Sequence, residues 1–133
     1  MEIGNWNLEF DIMKVFIVED DPFLSEMYVT KLLQEKFEVE AAGDGKAALK
    51  KIKALKPDLI LLDIVLPKMD GFEVLQKIKK DPELAKIKII ALTNLGQKEE
   101  VEKGLRLGAD DYIIKAHFTP SEVIAKVRRV LNQ

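Results

Sequence analysis

The sequence of 133 residues contains no cysteine. It can therefore form no disulfide framework, no thiolate metal site and no cysteine nucleophile, which excludes several classes of enzyme. No apolar run approaches the roughly 18 residues of a membrane span, and the N-terminus lacks the basic region and cleavage site of a secretory signal. We therefore expect a cytoplasmic protein that does not enter a membrane.

The chain also has no excess of charge of either sign. Lysine and arginine together number 21, aspartate and glutamate 23, and the net charge is −2. Neither a clustered basic stripe nor a docking motif is present, so direct binding to nucleic acid is not expected. A content of 47% hydrophobic and 33% charged residues is ordinary for a globular protein, and the length suits one domain with a sizeable core.

Five short apolar runs, many of them β-branched, recur along the chain and predict buried strands. Segments with helical periodicity lie between them, most clearly near the C-terminus. Parallel strands joined by right-handed crossover helices form a doubly wound sheet with helices on both faces, so we predict an α/β fold. The five runs are VFIV (15–18), VEAA (39–42), LILL (59–62), IIAL (89–92) and YII (112–114).

Three predicted helices begin with recognisable capping residues. Asp21 precedes Pro22, which suits an N-cap followed by proline at the first helical position. Asp70 before Gly71 predicts a second N-cap, and the TPSE stretch at 119–122 predicts a capping box.

The first twelve residues stand outside the strand and helix pattern. Apolar residues alternate with polar ones here, at Trp6, Leu8 and Phe10. This alternation is typical of an edge strand or a pairing surface, but an expression leader followed by a second start at Met13 fits equally well. We predict an N-terminal extension or leader over residues 1–12 and a single domain over residues 13–133.

Polar side chains follow four of the five predicted strands. Ligands bind beyond the carboxyl ends of the strands in an open parallel sheet, so we expect these side chains to share one pocket. Three carboxylates, a hydroxyl and an ammonium group form an oxygen-rich site of the kind that takes Mg²⁺. The residues are Glu19 and Asp20 after the first strand, Asp63 at the third, Thr93 at the fourth and Lys115 after the fifth.

Four stretches, VFIVEDD, DLILLDIVLPKMDGFEVL, IIALTN and GADDYIIK, resemble the receiver domains of bacterial two-component response regulators. The resemblance covers roughly residues 14–132, and the chemotaxis response regulator is the single-domain relative. It implies a flavodoxin-like sheet of five parallel strands in the order 2-1-3-4-5. It also implies a phosphoprotein of a phosphorelay, which promotes its own phosphotransfer and autodephosphorylation but is not an enzyme in the ordinary sense.

The resemblance gives a role to each matching residue. Asp63 matches the phosphoacceptor, Lys115 the lysine that contacts the phosphoryl group, Thr93 the switch hydroxyl and Tyr112 the aromatic switch residue. A divalent ion, Mg²⁺ with Mn²⁺ as a substitute, is implied beside them. Its implied ligands are Glu19, Asp20, Asp63 and the backbone carbonyl of Val65, with Asp20 preferred over Glu19 as a direct ligand.

The implied partners are proteins. A sensor histidine kinase or a phosphotransfer protein would supply the phosphoryl group, and a downstream protein would bind the surface formed by the fourth helix, the fifth strand and the fifth helix. The sequence ends just after the predicted fifth helix, so we expect a stand-alone receiver. Either a monomer or a phosphorylation-dependent dimer fits this expectation.

The sequence departs from the receiver pattern at two positions. Most receivers have a proline joined by a cis bond after the lysine, whereas this chain has Ala116. A cis bond before a residue other than proline costs about 2.5–4 kcal/mol, so we expect a trans bond and a differently shaped loop. The residue after Thr93 is usually very small, but here it is Asn94. We expect Asn94, Ala116, Val65 and Leu95 to modulate access to the site.

Other functions stay open on the sequence alone. The main alternative is an interaction module with the receiver fold that no longer switches, because Ala116 departs from the pattern. A Mg²⁺-dependent phosphatase with an aspartate nucleophile fits less well, since Asp63 has no second acid two residues later and no cap insertion is present. A nucleotide-binding turn is disfavoured because EDDPF contains no glycine-rich phosphate cradle.

Several other polar residues are predicted to face solvent. His117, the single histidine, lies in a predicted loop, and the charged run over 98–103 is expected on the wet side of the fourth helix. The basic residues Lys126, Arg128 and Arg129 fit the negative end of the last helix and a solvated face. Phe118 is expected to pack beneath that helix.

Overall fold

The computed structural model of the chain describes residues 12–94 and 97–133. The predicted N-terminal extension lies outside the described residues except for Ile12, and Leu95 lies outside them too. The boundary between residues 12 and 13 therefore stays a prediction. Within the two described ranges, no helix combines the length and the apolar character needed to cross a lipid bilayer.

Five strands alternate with five helices along the described residues. The strands are β1 (Lys14–Val18), β2 (Glu38–Ala42), β3 (Leu59–Asp63), β4 (Lys88–Thr93) and β5 (Asp111–Ile114). The helices are α1 (Pro22–Gln34), α2 (Gly45–Leu55), α3 (Gly71–Lys80), α4 (Lys98–Arg106) and α5 (Pro120–Leu131). The strands pair in parallel in the order β2-β1-β3-β4-β5, which confirms the predicted fold class and strand order.

Successive residues of the central strands point to opposite faces of the sheet. Phe16 and Ile60 lie on the face that packs against α2 and α3. Val15 and Leu59, one residue earlier in each strand, lie on the face that packs against α1 and α5. The two apolar clusters pack against the strands from both faces. The carboxyl ends of β1 and β3 are therefore held side by side at the same end of a rigid sheet.

The prediction of five buried strands is wrong at both edges of the sheet, completely for β2 and in part for β5. Every residue of β3 is buried, whereas no residue of β2 is, and Glu38 and Glu40 of β2 are exposed. In β5, at the opposite edge, only Ile113 is fully buried. Edge strands have a strand neighbour on one side only, and charged residues such as those of β2 discourage further pairing along a free edge.

The predicted helix caps are confirmed. The side chains of Asp21 and Asp70 accept hydrogen bonds from backbone N–H groups in the first turns of α1 and α3. Thr119 and Glu122 form both hydrogen bonds of the capping box that begins α5. These caps satisfy N–H groups that have no partner within their own helix, and they set where the loops at the carboxyl end of the sheet stop.

Candidate functional site

Three charged side chains meet at the carboxyl ends of β1, β3 and β5. Lys115 Nζ lies 2.9 Å from Glu19 Oε1 and 2.8 Å from Asp63 Oδ2. Glu19 and Asp63 are buried, with 2% and 3% of their surface exposed, and the Lys115 side chain is 13% exposed. Together with Asp20 they form what we call the acid site. Within this site the Lys115 ammonium lies between two buried carboxylates.

Each buried carboxylate divides its oxygens between Lys115 and the backbone. The second oxygen of Glu19 accepts the N–H of Asp21 at 3.0 Å, and the second oxygen of Asp63 accepts the N–H of Val65, also at 3.0 Å. These bonds come from residues two positions further along, in the loops that follow β1 and β3. The loops therefore orient both carboxylates toward the same lysine.

Asp20 is the exposed member of the acid site and adds a third carboxylate. One oxygen from each of Glu19, Asp20 and Asp63 lies within 4.8 Å of the others. Hard oxygen donors, with no sulfur or imidazole among them, are the set that Mg²⁺ prefers. Lys115 carries one positive charge against three carboxylates, so the charge balance also favours a divalent cation here. The residues present therefore fit a magnesium ion.

Burial has a strong effect on Glu19. It is the main cause that raises the pKa of Glu19 from 4.5 to about 7, and the charge of Asp63 adds to it, whereas hydrogen bonds from the Asp21 N–H and Lys115 oppose it. Burial alone would lower the pKa of Lys115, but its hydrogen bonds to Asp63 and Glu19 outweigh burial and raise it. Without a metal ion, the Glu19 carboxyl therefore carries only part of its negative charge near neutral pH.

Gly71 lets α3 begin directly against the end of β3. A Cβ atom at this position would lie 2.2 Å from the backbone oxygen of Asp63 and 2.6 Å from Cα of Ile64. Only glycine permits so close an approach. Its N–H donates to the Ile64 oxygen at 2.8 Å, which ties the loop after Asp63 to α3. The prediction of an N-cap at Asp70 before Gly71 does not include this packing role of the glycine.

Thr93 and Tyr112 lie on the neighbouring strands β4 and β5. Thr93 is buried, and its hydroxyl donates to the Ile113 carbonyl at 3.5 Å, so it faces β5. Tyr112 is half-buried and borders a cavity of about 200 Å³ that Asn94 and Ile114 also line. The two predicted switch residues are therefore on adjacent strands, with open space beside the tyrosine.

The residues predicted to modulate access are exposed where the structure describes them. Val65, Asn94 and Ala116 all face solvent, and Leu95 lies outside the described residues. The bond between Lys115 and Ala116 is trans, as expected from the absence of proline.

The structure contradicts one prediction and confirms two others near the C-terminus. Lys126 is not on the solvated face, because its side chain is 13% exposed and bonds to Asp111 and to the Tyr112 carbonyl. His117 is exposed, and Phe118 packs against the apolar cluster beneath α5, both as predicted.

Comparisons with known proteins agree with this geometry. The response regulator receiver domain family matches residues 15–128. The DNA-binding dual master transcriptional regulator RpaA of Synechocystis is 38% identical over 90% of this chain and 49% of its own length. A probable transcriptional regulator, ycf27, of Guillardia theta is 41% identical over 98% of this chain and 51% of its own length. The chain thus spans about half the length of these curated relatives.

A solved structure shows the same fold. Chemotaxis protein CheY4 of Vibrio cholerae superposes with a TM-score of 0.83 at 29% identity, covering 90% of this chain and 98% of CheY4. The sequence match, the strand order and the acid site at the carboxyl end of the sheet lead to one assignment. The chain belongs to the family of response regulator receiver domains of two-component systems.

Proposed function

We propose that this chain is a phosphorylation-dependent signalling switch that accepts a phosphoryl group on Asp63 from a sensor histidine kinase or a phosphotransfer protein. One observation carries the proposal. The buried Asp63 carboxylate places one oxygen 2.8 Å from Lys115 Nζ and the other 3.0 Å from the Val65 N–H, beside Glu19 and Asp20. A carboxylate held in this way is positioned to attack a charged donor.

The transfer forms one bond and breaks another. An oxygen of Asp63 attacks the phosphorus of the donor, and the bond from phosphorus to the histidine nitrogen, or to oxygen in acetyl phosphate, breaks with its electron pair on the leaving group. Lys115 neutralises charge on the phosphoryl oxygens as the donor approaches. The product is an aspartyl phosphate at the carboxyl end of β3.

Mg²⁺ is part of the proposal because the donor set of the acid site fits it. Glu19, Asp20, Asp63 and the backbone carbonyl of Val65 would hold the ion, and Mn²⁺ would substitute for it. When bound, the ion offsets the negative charge of the three carboxylates and of the incoming phosphoryl group. Asp20, as the exposed carboxylate, gives the ion a route from solvent.

The phosphoryl group would then change a partner-binding surface. An aspartyl phosphate adds about −1.5 to −2 charges and strong hydrogen-bond acceptors, by analogy with other phosphorylated side chains. The Thr93 hydroxyl would turn from the Ile113 carbonyl toward this group, and Tyr112 would move into the space beside it. This population shift would alter the surface of α4, β5 and α5, which a downstream protein would recognise.

The wider context belongs to the same proposal. RpaA is named as a DNA-binding transcriptional regulator and ycf27 as a probable transcriptional regulator, and these properties are theirs. For this chain we keep the expectations of protein partners, no direct contact with nucleic acid or a membrane, a cytoplasmic location, and a monomer or a phosphorylation-dependent dimer.

Autodephosphorylation would complete the cycle, and the residues predicted to modulate access to the site would set its rate. Val65, Asn94, Leu95 and Ala116 are the candidates. Asn94→Ala removes an exposed amide beside Thr93, so we expect a changed lifetime of the aspartyl phosphate, measured by phosphate release at fixed Mg²⁺. Equal lifetimes in the parent and the variant would remove Asn94 from this set.

Intact-protein mass spectrometry after incubation with acetyl phosphate tests the proposal. We expect one added phosphoryl group in the presence of Mg²⁺ and none with EDTA. Asp63→Asn should abolish the adduct, whereas Asp58→Asn, at the other end of the same strand, should retain it. A folded protein that forms no adduct in excess Mg²⁺ would contradict the proposal and favour a receiver-fold interaction module that does not switch.

A further inference from the structure

The Lys126 ammonium has four partners although it lies on a helix near the surface. It donates to Asp111 Oδ1 at 3.2 Å and to the Tyr112 carbonyl at 3.0 Å. It also lies over two aromatic rings, 5.1 Å from the centroid of Tyr112 and 5.0 Å from that of Phe118. A lysine needed only for solubility keeps its ammonium in water. This one is held in place instead.

These contacts join the two faces of the sheet around its β5 edge. Lys126 extends from α5, which packs on the face shared with α1. The Tyr112 side chain packs against the apolar cluster of the opposite face. Because β5 is the last strand of the sheet among the described residues, Lys126 reaches the tyrosine ring by passing around the edge of β5. It therefore contacts the ring from outside the sheet.

The tyrosine ring has space available to it. It borders a cavity of about 200 Å³ whose other walls include Asn94, Val101 and Ile114. When the ring moves away from Lys126, the ammonium keeps its bonds to Asp111 and to the Tyr112 carbonyl. The contact that is lost is therefore the one between the cation and the ring. A contact made in only one of two states shifts the equilibrium between them.

We propose that Lys126 is a positioning residue that holds the Tyr112 ring at the edge of β5. It thereby favours the resting position of the ring and raises the occupancy of the acid site that is needed before the ring moves. The inference rests on the proposed function, in which Tyr112 moves when Asp63 is phosphorylated. A contact between a cation and an aromatic ring at a partly desolvated site shifts the equilibrium between the two ring positions by roughly 2- to 30-fold.

Fluorine NMR of the full chain labelled with 3-fluorotyrosine tests this inference. The chain has only two tyrosines, Tyr28 and Tyr112, and Tyr28→Phe assigns their signals. In the resting protein, Lys126→Met should shift the Tyr112 signal, and Lys126→Arg, which keeps a cation over the ring, should leave it near its parent position. Arg129→Met is the matched control, because Arg129 bonds the other oxygen of Asp111 and is 64% exposed.

A titration with beryllofluoride, a phosphoryl mimic, in the presence of Mg²⁺ measures the effect on the switch. We expect Lys126→Met to reach half-maximal change of the Tyr112 signal at a concentration 2- to 30-fold lower than the parent. Lys126→Arg and Arg129→Met should stay within about twofold of the parent. An unchanged resting signal and midpoint in Lys126→Met, or an equal change in Arg129→Met, would overturn the inference.

The two proposals fail in different ways. If beryllofluoride leaves the parent Tyr112 signal in place and acetyl phosphate forms no adduct on Asp63, the proposed function is wrong. The resting spectra then decide the role of Lys126 by themselves. A Tyr112 shift in Lys126→Met that Lys126→Arg reverses would support its hold on the ring, and no shift would overturn it.

Discussion

The two ends of the sheet use the same residue types in opposite ways. At the amino end, Asp58 precedes β3 and accepts the Lys14 N–H at 2.8 Å, and Asp110 precedes β5 and accepts the Ile89 N–H at 2.8 Å. Each also donates its own N–H to the carbonyl of the residue it bonds, Lys14 or Ile89. These acids extend the hydrogen-bonded ladder of the sheet by one residue.

At the carboxyl end, the acids face one another instead. Glu19, Asp20 and Asp63 bring their oxygens within 4.8 Å, and Lys115 is the ammonium that two of them share. The difference teaches that an acid beside a strand does not by itself indicate function. Carboxylates that crowd together around one lysine, as these do, indicate instead a site that could bind a divalent cation.

The largest effect is expected from removing the most exposed of the proposed carboxylate ligands, Asp20. Asp20→Asn takes one charge from the acid site, so we expect Mg²⁺ affinity to fall by roughly 100-fold or more, with the metal-free stability unchanged or slightly raised. Calorimetric titration with Mg²⁺ measures the affinity, and Asp58→Asn is the control. Normal Mg²⁺ binding by Asp20→Asn, or a destabilised metal-free variant, would remove the contrast between the two ends.

A loss of stability should follow the removal of an acid from the amino end. Asp110→Ala leaves the Ile89 N–H without its side-chain acceptor, so we expect the free energy of unfolding to fall by about 1–3 kcal/mol. Urea unfolding without metal measures the change, with Asp20→Ala as the carboxyl-end counterpart. Equal losses in the two variants would show that the acids at both ends are structural.

The stability of the metal-free protein should depend on pH through Glu19. A carboxyl whose pKa is raised by folding stabilises the folded state at low pH. For Glu19 this contribution is complete below a pH of about 4.5 and is lost as pH rises through about 7. The full shift corresponds to about 3 kcal/mol, and solvent at the mouth of the site reduces this, so we expect about 1–2 kcal/mol.

Urea unfolding in EDTA at about pH 5 and about pH 8 measures this loss. Glu19→Gln has no titrating carboxyl, so its stability should fall less over the same range. Mg²⁺ at the higher pH should restore stability to the parent but not to Asp20→Asn. Parallel pH profiles for the parent and Glu19→Gln would contradict the account of Glu19.

The smallest effect is expected from glycine substitutions at left-handed residues, one at each end of the sheet. Lys68, in the loop between β3 and α3, has φ of 68°, and Lys56, at the end of α2 on the amino side, has φ of 46°. Glycine removes the cost of this left-handed conformation but adds chain entropy, so Lys68→Gly and Lys56→Gly should each gain about 0.5 kcal/mol. If the free energy of unfolding rises by about 1 kcal/mol more in Lys68→Gly than in Lys56→Gly, the carboxyl end stores backbone strain as well.

Features set by nearby residues could be predicted from the sequence. Strands, helices and caps depend on side chains within a few positions, and the rule that strand ends converge was enough to predict that Glu19, Asp63 and Lys115 would lie together. The apolar run VEAA by itself does not show how much of a strand is covered, so the exposure of β2 was missed although its place in the strand order was predicted. Lys126 was missed because Asp111 and Tyr112 are far from it in sequence. The stand-alone character of the domain stays a prediction.

The most direct measurement identifies which carboxylate carries the phosphoryl group. Borohydride reduction of the acetyl-phosphate-treated protein converts a phosphorylated aspartate into homoserine, and tandem mass spectrometry of the digest locates it. We predict homoserine at position 63 alone, formed only when Mg²⁺ is present. Homoserine at position 20, 58 or 110, or equal formation with EDTA, would contradict the claim that the carboxyl end of the sheet is a magnesium-dependent phosphoacceptor site.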